Sequence, residues 1–68
     1  MKNWKEIKRR LDPAARYFWA KDDPRSWRLV NAFTLKSAFG CEDRLTALRL
    51  TRTMIQAGFS VAKMEETW

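Results

Sequence analysis

Residues 12–27 read DPAARYFWAKDDPRSW, and they set Tyr17, Phe18, Trp19 and Trp27 between two Asp-Pro pairs. What this stretch folds into decides the architecture. In each pair the carboxylate can accept the free amide protons of a first helical turn, and the proline ring fixes the φ that such a turn needs. Helices are therefore expected to begin at Pro13 and at Pro24.

Consecutive helical positions point about 100° apart, so Tyr17, Phe18 and Trp19 cannot all face one core. Phe18 shares a stripe with Ala14 and Ala15 and is the expected core residue. Tyr17 and Trp19 diverge to either side. Each is either the rim of a core or an interface anchor, the role in which Trp, Tyr and Arg are most often found as energetic hot spots.

Outward from this stretch, the two glycines continue the helical pattern. Gly40 and Gly58 each follow an apolar-periodic run and can close a helix in the left-handed conformation. A first helix capped by Asn3 runs to about Leu11, with Trp4, Ile7 and Leu11 on one side and Lys5, Lys8 and Arg9 on the other. The second spans Pro13 to Lys21 and the third Pro24 to Phe39. On the third, Trp27, Val30, Thr34 and Ala38 share one side, Leu29 and Phe33 a second, and Leu35 and Phe39 a third. A helix apolar all round is a buried one, so residues 24–39 are the expected central element.

A fourth helix, capped by Asp43 or Glu42, reaches Ala57. Ala47, Leu48, Leu50, Met54 and Ile55 fill one half of it, and Thr46, Arg49, Arg52, Thr53 and Gln56 the other. After it, Gly58 turns the chain and Phe59 folds back on the last turn. Ser60 then caps a short helix to Thr67, or, alternatively, Phe59, Val61 and Lys63 alternate as a strand. The expected fold is all-α: residues 1–68 form a single small helical domain, a compact bundle of four to five short helices.

The segment TLKSAFGCEDRLTALRL, residues 34–50, resembles a helix-turn-helix in having a helix, a glycine turn and a second helix with polar outer positions. Lys36 stands where that motif prefers a small residue. The stretch AGFSVAKMEE, residues 57–66, is similar to the corner between helices beside the DNA-binding part of MerR-type regulators. Both resemblances imply a regulatory DNA-binding role.

Composition narrows the function classes. Lys and Arg number 14 against 8 acidic residues, a net charge of +6, with a pI near 10.1. Residues 1–34 hold nine basic and four acidic side chains (+5), residues 35–68 five and four (+1). Such an uneven basic surface attracts polyanions or an acidic protein face. The longest apolar run is YFWA, residues 17–20, too short for a membrane span, so a cytoplasmic protein with no membrane partner is expected.

With no histidine and a single cysteine, the chain holds no zinc-ligand set and no imidazole to activate Cys41. The acid pairs Asp22-Asp23 and Glu65-Glu66 are sequence neighbours that point apart. No glycine-rich phosphate loop occurs. Neither an enzyme, a cofactor nor a small-molecule substrate is expected.

Two binding readings remain. In the first, Lys5, Lys8, Arg9 and Arg10 neutralise phosphates while Arg49, Arg52, Thr53 and Gln56 reach DNA bases, in a homodimer that doubles the contacts. In the second, the chain is a small inhibitor or adaptor of the kind carried by phages and mobile elements, with Tyr17 or Trp19 inserted into a protein partner.

Overall fold

The computed structural model describes residues 3–62 and 64. It is a mixed α/β domain, not an all-α bundle. In chain order the elements are α1 (Trp4–Arg9), β1 (Arg16–Asp23), β2 (Ser26–Asn31), β3 (Ser37–Cys41), α2 (Arg44–Gln56) and β4 (Ser60–Val61). The four strands form one sheet in the order β3-β2-β1-β4. β2 is antiparallel to both neighbours, whereas β4 runs parallel to β1 after a crossover through α2.

The two middle helices expected from Pro13 and Pro24 are strands, and the physical reason lies in the period of the apolar residues. Tyr17 and Trp19 are 2% and 4% exposed, with half-buried Phe18 and Ala20 alternating on the other side. That is the two-residue repeat of a strand with one face on a core. The expected roles of the rings are thereby exchanged: Tyr17 and Trp19 are core residues, and Phe18 belongs to the outer face. There it lies opposite Val30, which is buried outside the main cluster. Trp27 is buried as expected.

The Asp-Pro pairs cap turns. The Asp12 carboxylate accepts the Ala14 amide at 2.9 Å, and Ala15 N–H closes on the Asp12 carbonyl at 3.0 Å. Asp23 accepts the Arg25 amide at 2.9 Å, and Pro24-Arg25 then link β1 to β2. These are side-chain turns of the kind Asp favours before a change of direction.

Residues 24–39 are not a central helix, because the chain reverses between β2 and β3. The Asn31 side chain accepts the amides of Phe33 and Thr34 at 2.8 and 3.2 Å, and Leu35 takes a left-handed φ of 61°. Segment 34–50 accordingly joins a strand to a helix, so the helix-turn-helix arrangement is absent. Gly40 lies within β3 and stops no helix.

Both expectations at the ends of α2 hold. Asp43 accepts the Leu45 amide at 3.1 Å. At the other end Gly58, at φ 95°, donates to the Ile55 carbonyl at 3.1 Å, and Phe59 donates to the Met54 carbonyl at 2.9 Å. That pair of bonds is the Schellman closure, and Phe59 is buried beneath it. Beyond it Ser60 and Val61 form β4 and not a helix; residues 65–68, and with them the end of the expected last helix and of the MerR-like stretch, lie outside the described residues. α1 ends two residues before the expected Leu11, and Asn3 makes no side-chain cap.

Across the inner face the pairing lines up rows of side chains. Trp19, Leu29 and Phe39 form one row, with the Trp19 and Phe39 rings edge to face at 6.5 Å. Lys21, Trp27 and Cys41 form the next, with Lys21 Nζ 5.3 Å from the Trp27 ring. Ile7 and Leu11 from the α1 region and Ala47, Leu50 and Met54 from α2 complete the cluster. The indole N–H of Trp19 donates to the Thr51 hydroxyl at 2.6 Å, and that hydroxyl donates to the Ala47 carbonyl at 2.8 Å. Burial of one such ring contributes roughly 4–6 kcal/mol before conformational costs. No helix among the described residues is long and apolar enough to cross a membrane.

Candidate functional site

Burial of Ile7 and Leu11 fixes the orientation of α1 and leaves Lys5, Lys8, Arg9 and Arg10 exposed. Arg10 caps the helix end. It also lines a cleft of about 390 Å³ at the end of the sheet, together with Tyr17, Asn31, Thr34, Lys36 and Ser37. The cleft joins parts of the chain that are distant in sequence because Tyr17 and Asn31 are cross-strand partners.

Each wall of the cleft is held in place. The Tyr17 hydroxyl accepts the Asp12 amide at 2.7 Å, tying β1 to the turn after α1. Leu35 N–H donates to the Asn31 carbonyl at 2.7 Å and Asn31 N–H to the Lys36 carbonyl at 3.0 Å, so the β2–β3 loop closes on its own ends. The loop hydrogen bonds fix the backbone that carries Thr34 and Lys36. Among the described residues the lining contains two cations, three hydroxyls and an amide, and no carboxylate. Such a set donates hydrogen bonds to an anion.

The other basic residues singled out in the sequence lie on α2. Arg49 and Arg52 line a groove of about 230 Å³ with Leu45 and Leu48. Thr53 is half-buried and its hydroxyl donates to the Arg49 carbonyl at 2.9 Å; Gln56 is exposed. The structure therefore brings Arg10 together with Lys36, and Arg49 with Arg52, as two separate clusters. Trp19 is buried, and Tyr17 is buried apart from the edge it gives the cleft, so neither ring is presented for insertion into a partner.

Lys36 is the residue that sequence reasoning passed over. In a helix over 24–39 it is the single lysine, on an element separate from the basic first helix; only the reversal at Asn31 brings it toward Arg10. Arg28 is spent internally, its guanidinium meeting the Asp22 carboxylate at 3.1 Å.

Among the described residues no group of three or more His, Cys, Asp or Glu side chains is placed to hold a metal ion. Burial pushes the Cys41 thiol above its ordinary range, the opposite of what an activated nucleophile needs. The chain matches no protein-family model, no curated protein and no solved structure.

Proposed function

We propose that this chain is a small, non-enzymatic, regulatory nucleic-acid-binding protein that grips the phosphate backbone of DNA with α1 and the adjoining cleft. Lys5, Lys8 and Arg9 supply the long-range attraction, and Arg10 with Lys36 form the seat for a phosphate. The observation that carries this reading is the cleft itself: among the described residues, two cations and four neutral polar side chains converge there without one acid. A basic surface alone explains solubility equally well; a concave set of donors on a fixed loop is what phosphate contacts require. Arg49 and Arg52 sit between leucines on another element and are left out of this surface.

Fluorescence anisotropy with labelled mixed-sequence duplex DNA tests the proposal. Affinity is expected to fall by about tenfold or more as salt rises, the signature of counterion release. Arg10→Ala with Lys36→Ala should lower the slope of log affinity against log salt by about 1 per lost contact. Salt-independent binding, or none at low salt, overturns it.

A further inference from the structure

α2 leaves an apolar stripe uncovered. Ala47, Leu50 and Met54 are buried against the sheet, yet Leu45, Leu48 and Ile55 are 51%, 39% and 55% exposed. Helical spacing alone puts Leu48 and Ile55 on the core side of this helix; the narrow buried stripe at 47, 50 and 54 leaves them outside it. With Arg52, they occupy positions i, i+3, i+7 and i+10 counted from Leu45, the spacing of a seam between paired helices. The seam is about 15 Å long at 1.5 Å per residue.

We propose that this face of α2 is a docking groove for an acidic amphipathic helix of another protein. Apolar side chains of that helix seat on Leu45 and Leu48 and against Ile55, and its carboxylates pair with Arg49 and Arg52. Charge complementarity selects the occupant. α2 reads RLTALRLTRTMIQ, with three arginines and no acid, and the groove lining holds two of those arginines and two leucines. A second copy would set cation against cation along the seam. A DNA groove would satisfy the arginines but bury little of the three aliphatic side chains, each of which gains most from an apolar partner. A helix with leucines on one face and glutamates beside them satisfies both kinds of group. A contact this small belongs to the class of weak, transient interfaces.

The probe is a stapled peptide of about four turns, with leucines at three- and four-residue spacing and flanking glutamates, and a twin with lysine at every glutamate. Titrated into the isotopically labelled protein, the acidic peptide should shift amides clustered in residues 44–56. It should bind at least about tenfold more tightly than its lysine twin, a difference of about 1.4 kcal/mol.

Leu45→Ser with Leu48→Ser, both at exposed positions, should lose the peptide by a similar factor while keeping the circular dichroism spectrum and the DNA affinity. Arg49→Glu with Arg52→Glu should lose the acidic peptide and gain its twin; Arg10→Ala with Lys36→Ala should change neither. Equal affinity for the two peptides, or shifts centred on α1 and the cleft, overturns the proposal. So does a dimer in light scattering that Leu45→Ser with Leu48→Ser dissolves, which assigns the groove to a second copy. Shifts from duplex DNA clustered on residues 44–56 overturn it in favour of nucleic acid.

Discussion

Residues 12–41 and residues 42–59 are punctuated by the same chemistry and fold in opposite ways. Asp12, Asp23 and Asp43 each accept, through the side chain, the amide two residues further on, at 2.9, 2.9 and 3.1 Å. The first two bonds close turns beside strands and the third starts a helix of 13 residues. A capping carboxylate thus marks where the chain changes direction and does not choose between helix and strand beyond it. The choice belongs to the period of the buried side chains. After Asp43 it is 47, 50 and 54; after Asp12 it is 15, 17 and 19. The first set of spacings keeps one side of a helix inward, the second one face of a strand.

The largest expected effect breaks the strand half. Trp19 is buried in the row with Leu29 and Phe39, and its indole N–H is bonded to Thr51 of α2. Trp19→Ala is expected to cost about 3–5 kcal/mol, by the size of the cavity left and the bond lost. That is a large part of the stability available to a domain of this size. Urea unfolding followed by far-ultraviolet circular dichroism reads it directly. Phe18→Ala, one residue away on the outer face, should cost clearly less. Equal costs would refute the alternation on which the strand assignment rests.

A smaller, paired effect compares the two left-handed residues, one in each half. Gly58 closes α2 at φ 95°, and a Cβ built there meets no atom within 4 Å. Gly58→Ala should therefore cost only the backbone penalty, about 1 kcal/mol. Leu35, at φ 61° in the β2–β3 loop, already carries that penalty with its side chain exposed. Leu35→Gly should return part of it and stabilise by up to about 1 kcal/mol. The contrast is one of sign, and two shifts of the same sign in thermal unfolding would show that φ does not govern both positions.

What could be read from the sequence divides along the same line. α1, α2 and the Gly58-Phe59 corner were legible because hydrogen bonds between near neighbours define them, so the residues that make them stand together. The strands were not. Their pairing is non-local, the hairpin turns lack the Asn-Gly and Asp-Gly pairs that announce them, and Val30 and Val61 are the β-branched residues that the strands contain. The run Tyr17-Phe18-Trp19 fits a helix and a strand equally by composition. Its alternation is visible only once Ala15 and Lys21 are counted with it. On the candidate site, the exposure of Lys5, Lys8 and Arg9 followed from helical spacing, whereas the cleft did not, because Lys36 reaches it through the pairing of β1 with β2 and the loop after it.

The smallest effect lies where the two halves join. Cys41 ends β3, and its thiol donates to the carbonyl of Asp43, the residue that caps α2, at 3.5 Å. Burial raises the pKa of this half-buried thiol. Because the folded state holds the proton more tightly than the unfolded chain, where a thiol titrates near ~8.5, the contribution of Cys41 to stability is complete below that value. It is lost as pH rises through the folded-state pKa, since the unfolded chain then gains from ionising first. In Cys41→Ala that loss is absent, so the difference in urea stability between the two proteins should drift against the parent as pH is raised from 7 to about 10. The same protonated thiol should react with iodoacetamide more slowly in the folded protein than in urea at equal pH. Parallel stability curves together with equal alkylation rates would place the thiol in water, and the junction between β3 and α2 would then be open where the structure has it packed.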